Sequence, residues 1–372
     1  MNAERIVETL LKKAGIQLNG AAPWDPQIHD PRTYWRFLLY GTMGAGESYM
    51  DGWWDAPALD EFFARILTPR VDKRFFTPAL LYQKALALVS NRQSRARASQ
   101  VAEGHYDLGN DLYEVMLDKR MIYTCAYWSA TLKPKNLDEA QEAKLDLICR
   151  KIRLKKGDRV LDIGCGWGGF AQYAAEHYGA SVVGITISKE QLALAQERCK
   201  GLPIELRFQD YRDVNETFDH IVSIEMFEAV GYKNFRTYFE CAARCLKDDG
   251  LFLLQTIGDN YSRIVGEPWI EKYIFPNGAL PSLAQIGKAV EGLFVVEDLH
   301  NFGADYDRTL MAWFANFDAA WPTLREKYGE RFYRMWKYYL HCFAGSFRTR
   351  TISDWQIVFS KKGVPGGYTA VR

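Results

Sequence analysis

Net charge is nearly absent from this sequence: 47 Lys and Arg stand against 46 Asp and Glu, leaving +1 over 372 residues. No whole-molecule field draws such a chain to nucleic acid or to an anionic surface, so any basic surface must be local. Cysteine is sparse, with seven residues and no CxxC pair. An odd count at wide spacing argues against a disulfide framework and for free thiols in a reducing compartment. Cys241 and Cys245 are four apart but have no His or third Cys nearby, so they read as packed thiols and no metal site is expected. No apolar run approaches the roughly 18 residues that span a bilayer. The N-terminal MNAERIVETLLKKAG mixes both charge signs on an amphipathic pattern, unlike a secretory signal. No internal repeat is evident. The expectation is a soluble, cytoplasmic protein.

What is present is a core. Hydrophobic residues make up 48%, with 21 Tyr, 21 Phe and 11 Trp, enough to exclude disorder and to line an apolar cavity with electron-rich rings. Two domains are the prior at this length. Residues 1–90 show apolar spacings of three and four in LLKKAGIQL, TYWRFLLYG and LDEFFARIL, which predict a small helical N-terminal domain. GTMGAGESYMDGWW between them reads as a glycine-broken loop. Residues 91–104, most of them in the polar and basic stretch SNRQSRARASQ (90–100), read as a linker. Residues 105–372 form the second domain. From residue 137 helix and strand alternate: RVLDIG, SVVGITIS, IELRFQD, HIVSIE, LFLLQTIG, FVVEDLH and WQIVFSKK are seven short apolar strands. The fold class is therefore α/β, a doubly wound, parallel, seven-stranded Rossmann-like sheet. The long aromatic stretch at about 301–352 is expected to insert as a lid or cavity wall.

RVLDIGCGWGGF places Gly164, Gly166 and Gly169 in a GxGxxG turn after the first strand. That pattern alone says only that a ligand approaches backbone there, or that strand and helix pack tightly. No GK[ST] follows, which excludes a triphosphate loop. Asp162 precedes the first glycine by two residues, where a carboxylate repels pyrophosphate and attracts a sulfonium and an ammonium. The second strand ends in GITIS, with Thr186 and Ser188 where a nicotinamide dinucleotide needs an acid. Together these favour S-adenosylmethionine.

HYDLGNDLYEVMLDKRMIYTCAYW (105–128), DIGCGWGGF, GITIS, EMFEAVG (225–231), KYIFPNG (272–278) and HNFGADYDRTLMAW (300–313) occur in this order. Over the chain from about residue 20 onward, the set resembles the cyclopropane-fatty-acyl-phospholipid synthase family, whose relatives include the mycolic acid methyltransferases. The resemblance implies methylene transfer from S-adenosylmethionine to a cis double bond of an unsaturated phospholipid acyl chain. It implies a carbocation deprotonated by bound bicarbonate, and a homodimer. Carried over residue by residue, the bicarbonate cradle falls on Cys125, Glu228, Ile257 and Tyr306, with Gln255 beside it. The cofactor contacts fall on Tyr123, Thr124, Asp162, Gly164, Gly166, Thr186, Ser188, Gln191, Asp210 and Tyr211. The chain departs from the family pattern where Gln255 and Ala229 replace His and Glu225 replaces a small residue. These departures bear on the anion site and on whether the product is a ring, a methyl branch or a methylene.

Residues 66–98 carry seven basic residues, Arg70, Lys73, Arg74, Lys84, Arg92, Arg95 and Arg97, against Asp72. With FFTPALLYQKALALV among them, the segment suits either peripheral contact with the inner face of a membrane or an interdomain helix. Competing readings are a methyltransferase for a soluble small molecule and a non-catalytic lipid-binding protein of the same fold. An RNA substrate is disfavoured by balanced charge, and a DNA or protein amide by EMFEAVG standing where an NPPY-like loop belongs.

Overall fold

The computed structural model describes residues 2–68, 91, 93 and 109–372. The basic segment's Arg70 to Arg97, most of the linker and the His105–Asp107 motif lie outside the described residues. The chain divides into two compact units, one of Met1–Asn91, Ile264–Pro276 and Tyr306–Ile352, the other of Arg92–Arg263, Asn277–Asp305 and Ser353–Arg372.

The first unit is helical. Ala3–Lys12 begins where the Asn2 side chain accepts from Glu4 N–H and buries Ala3, Val7 and Leu11, one face at helical spacing. Arg32–Met50 continues through the glycines expected to form a loop. Its backbone leaves helical geometry only at Gly41. Gly46 lies inside the helix, and a Cβ there would meet the Trp269 indole at 2.4 Å, so this glycine permits close packing instead of ending the helix. Leu59–Leu67 packs on Glu330–Arg348 through Gly345, whose Cβ would lie 2.9 Å from the Ala64 amide and the Asp60 carbonyl oxygen. Arg348 also pairs with Asp60 at 2.6 Å. Tyr338 stacks among Tyr49, Phe63 and Trp269 at 4.6 to 5.4 Å. The aromatic stretch expected as an insertion in the catalytic domain thus groups, from residue 306, with the N-terminal helices, because its rings and Gly345 fill their core.

The second unit holds the seven strands: β1 Arg159–Ile163, β2 Ser181–Thr186, β3 Ile204–Phe208, β4 Phe218–Ile224, β5 Leu246–Asp259, β6 Val295–Asn301 and β7 Ile352–Ser360. Their order is β3-β2-β1-β4-β5-β7-β6. The ladders from β3 through β5 are parallel, but β6 and β7 are antiparallel. The sheet is therefore parallel over five strands and mixed at one edge, because β7 enters between β5 and β6. Helices cover both faces. Phe227, Phe239, Phe252 and Phe359 pack on one; Leu145, Ile148, Phe170 and Ala174 pack on the other. Burial on both faces explains why the central strands read as apolar runs without alternation. All seven cysteines are free, six of them buried. Among the described residues no helix is long and apolar enough to cross a membrane.

Candidate active site

In this strand order the crevice opens at the carboxyl ends of β1 and β4, where the chain direction of the winding reverses. Asp162, near the end of β1, is 2% exposed and its Oδ2 has no hydrogen-bond partner. Burial pushes its carboxyl up to about 7, while the Lys144 charge pulls the other way. The turn that follows is lashed to β2, with Gly164 N–H and Cys165 N–H both donating to the Ile185 carbonyl. Gly164 has φ +85°, and a Cβ on it would lie 2.6 Å from the Met226 side chain. Gly166 has φ +54°, and its Cβ position faces open space with no atom within 4 Å. An orphaned buried carboxylate oxygen beside open backbone fits a cationic nucleoside. S-adenosylmethionine would be held by Asp162 and by the backbone at Gly164 and Gly166.

The remaining expected cofactor contacts are placed around this turn with partners of their own. Ser188 caps Lys189–Arg198 by accepting from Gln191 N–H at 3.3 Å. Thr186 Oγ1 accepts from Ser188 N–H and donates to Gln191 Oε1. All three are buried, so they shape the end of β2. Asp210 caps the turn Tyr211–Asp213 and is paired with Arg212 at 2.8 Å. The Tyr211 ring meets Tyr238 edge-on at 5.2 Å. The Tyr123 ring stands 5.1 Å from Tyr113, which itself lies 4.9 Å from Trp167. Thr124 Oγ1 accepts from the buried ammonium of Lys144 at 2.7 Å.

A second cluster lies at the ends of β4 and β5. Glu225 Oε1 accepts from Cys125 N–H at 2.8 Å and from Gln255 Nε2 at 2.9 Å. Gln255 Nε2 also donates to Asp354 Oδ2 at 3.0 Å, and Gln255 Oε1 accepts from Gln356 Nε2 at 3.0 Å. Glu228 Oε1 accepts from Thr256 Oγ1 at 2.9 Å and from Ile257 N–H. Its Oε2 is buried without a partner. Glu225 adopts φ +50°, a left-handed conformation that costs a non-glycine residue about 1–2 kcal/mol. Burial, then the Glu225 charge, holds the Glu228 carboxyl up at about 8. The same two causes push Asp354 well above the carboxylate range. Lys144 is fully buried, and burial lowers its ammonium against the pull of Glu225, Asp118, Cys125 and Asp354. Cys125 is buried, with its thiol pushed well up, so it offers backbone rather than nucleophilic sulfur.

Four of the five expected catalytic residues, Cys125, Glu228, Gln255 and Ile257, come together here. Tyr306 belongs to the first unit, where it is buried and stacks on Phe347 at 4.5 Å. Lys144, Asp354 and Gln356 were not singled out in the sequence. Asp354 falls just before the strand as read from sequence, WQIVFSKK, and the observed strand takes it in with Ser353 and Gln356. Of the groups expected around bicarbonate, those in this unit are taken: Cys125 N–H by Glu225, Ile257 N–H by Glu228, and both amide hydrogens of Gln255 by Glu225 and Asp354. Three carboxyl groups surround them, so the residues as placed do not fit a further anion.

A mostly parallel sheet wound in this order, with an acid-flanked glycine turn on its first strand, is the arrangement of an S-adenosylmethionine-dependent methyltransferase, and the comparisons with known proteins bear that class out. Comparison with known proteins narrows the class. The family model for mycolic acid cyclopropane synthetase matches residues 93–357. The chain is 52% identical over 374 residues to the cyclopropane-fatty-acyl-phospholipid synthase of Escherichia coli strain K12, covering 100% of this chain and 96% of that one. It is 32% identical to tuberculostearic acid methyltransferase UfaA1 of Mycobacterium tuberculosis over 96% of this chain and 88% of that one. The solved mycolic acid cyclopropane synthase CmaA1 complexed with SAH and CTAB superposes with a TM-score of 0.66 at 31% identity, covering 71% of this chain and 98% of that one. The chain belongs to the mycolic acid cyclopropane synthetase family.

Asp162→Asn is expected to weaken S-adenosylmethionine binding and to flatten its pH dependence. A cationic ligand favours the ionised carboxylate, so binding releases a proton wherever free Asp162 is protonated. With Asp162 pushed up to about 7, wild-type affinity rises with pH through neutrality and levels above about pH 8. Calorimetric titration across that range checks this. Equal affinities for the two proteins at every pH would remove Asp162 from the site.

Proposed function

We propose that this chain converts a cis double bond of an unsaturated phospholipid acyl chain into a cyclopropane ring, with the methylene carbon drawn from S-adenosylmethionine. We further propose that it does so as a homodimer held peripherally on the inner face of the cytoplasmic membrane. The observation that carries the reading is the adjacency of a cation-holding turn and a carboxylate cluster in which Asp354 is buried and Glu225 and Glu228 are half-buried. Met226, whose side chain lies against the Cα of Gly164, directly follows Glu225. Similarity to a phospholipid cyclopropane synthase along the whole chain supports it.

S-adenosylmethionine, when bound, supplies an activated methyl group to a weak alkene nucleophile, leaving an electron-deficient carbon on the acyl chain. The protein's part is positioning, exclusion of water and removal of a proton. Asp162 and the glycine turn fix the donor. Burial of Cys125, Gln255, Asp354 and Gln356 keeps solvent from the carboxylate cluster. The Tyr113, Tyr123 and Trp167 rings offer electron-rich faces within the same unit.

The test is incubation of cis-unsaturated phospholipid vesicles with the protein and labelled S-adenosylmethionine, followed by mass spectrometry. A gain of one CH₂ that survives hydrogenation identifies the ring. The same gain with a reducible double bond identifies a methylene product instead, the outcome that the departures at Glu225, Ala229 and Gln255 leave to this test. Anionic vesicles in the same assay address the membrane. Charge reversal at Arg92, Arg95 and Arg97 is expected to lower co-sedimentation and to leave S-adenosylmethionine affinity unchanged. Unaltered co-sedimentation would end the membrane role of that segment.

A further inference from the structure

We infer that Glu225 is itself the base that removes the proton, so that this enzyme works without bicarbonate. The inference rests on the cyclopropane-forming reading above and deepens it.

The geometry carries it in three ways. First, the Glu225 carboxylate occupies the donors expected for the ion: Cys125 N–H at 2.8 Å and the Gln255 amide at 2.9 Å, both on Oε1. Second, Gln255 is saturated. Its second amide hydrogen goes to Asp354 Oδ2 and its carbonyl accepts from Gln356, so this side chain has no donor left for an external anion. Third, Glu225 is held at φ +50°, where glycine is at ease and glutamate is strained. Strain of that kind persists where surrounding structure imposes it, and here two donors from β5 and from the segment before residue 126 do so. Lys144, buried against Thr124, supplies the positive charge that keeps an ionised carboxylate tolerable in this interior.

The step balances without a further reactant. The C–S bond of the sulfonium breaks as a C–C bond forms to one alkene carbon, releasing S-adenosylhomocysteine and leaving the other alkene carbon cationic. Glu225 takes one proton from the new methyl group. The electron pair of that C–H bond closes onto the cationic carbon, giving the three-membered ring and a protonated Glu225, which returns its proton to solvent after product leaves.

The experiment uses the full-length protein, cis-unsaturated phospholipid vesicles and carbon-dioxide-stripped buffer with or without added bicarbonate. Alongside it, binding of ¹³C-bicarbonate is followed by NMR. Wild type is expected to turn over equally in both buffers and to bind no bicarbonate. Glu225→Gly, which relaxes the backbone and so folds, is expected to lose about a hundredfold or more in stripped buffer, to bind bicarbonate, and to regain activity with it. Glu225→Gln, which keeps the shape and one acceptor oxygen but not the basicity, is expected to be inactive in both. A wild type that stalls in stripped buffer and recovers with bicarbonate overturns the inference, as does an active Glu225→Gln. A wild type that makes no product in either buffer overturns the cyclopropane reading instead. The NMR titration then still decides whether Glu225 fills the anion site, and bicarbonate binding to wild type would overturn that.

Discussion

Glu228→Gln is expected to make the protein more stable above about pH 8 by on the order of a few kcal/mol, and to leave stability unchanged below about pH 4. The sign follows from a carboxyl group whose folded value is raised to about 8 by burial and by the Glu225 charge. Below the ordinary carboxylate range both folded and unfolded chains carry the proton, and Glu228 costs nothing. As pH rises toward 8 the unfolded chain releases its proton while the folded chain keeps it, so stability falls. Above 8 the folded chain bears a buried anion and the cost is complete. Glutamine cannot ionise, and its amide oxygen can still accept from Thr256 Oγ1 and Ile257 N–H as Glu228 Oε1 does. The contrast is Glu228→Ala, which also cannot ionise but leaves both donors buried and unpaired, and is expected to lie about 1–3 kcal/mol below Glu228→Gln at every pH. Urea melts of the three proteins at several pH values between 5 and 9 check both. Parallel pH profiles for wild type and Glu228→Gln would mean that Glu228 ionises normally and that the carboxylates do not share one interior.

The same residues show where sequence stops being informative. All seven strands are legible: β1, β2, β4 and β7 as apolar runs and β5 through its apolar LFLLQTIG half, β3 and β6 as shorter runs mixed with charge between polar turns, and β1 with its glycine turn is the clearest. Helix Arg32–Met50 is not, since its glycines read as breakers while Gly46 in fact admits the Trp269 indole. The antiparallel entry of β7 beside β6 is set by tertiary pairing, which no local pattern reports. In the site, Cys125, Gln255 and Ile257 are found through motif resemblance, and the geometry then alters what they do. Glu225 appears in sequence only as a departure from a small residue. Its hold on Cys125 N–H spans 100 positions and depends on a left-handed backbone angle. Lys144 sits in LDEAQEAKLDLICRKI, where a lysine among acids reads as solvated. It is buried because the helix turns that face to the sheet end, where Thr124 receives its ammonium.

Gly164→Ala is expected to abolish useful S-adenosylmethionine affinity, raising Kd by about a hundredfold or more. Two independent effects combine. At φ +85° an alanine is strained, at a cost of about 1 kcal/mol or more. Its Cβ would also stand 2.6 Å from Met226 Cγ and 2.7 Å from Met226 Cβ, so either the turn or the segment carrying Glu225 must shift. Because the turn is tied to β2 by two amide bonds to Ile185, the strain passes into the donors facing the ligand. Met226→Ala in the same chain would still leave a Cβ facing Gly164, since one of the two close atoms is the Met226 Cβ itself, so recovery is expected to be small. Gly166→Ala separates the causes. No protein atom lies within 4 Å of its added methyl, so any loss of affinity beyond the backbone strain comes from filling the space the ligand needs. Calorimetric Kd values and thermal melts on the three variants read the two effects apart. If Gly166→Ala binds S-adenosylmethionine as wild type does while Gly164→Ala does not, the turn matters only for packing against Met226 and the nucleoside lies elsewhere along the strand ends.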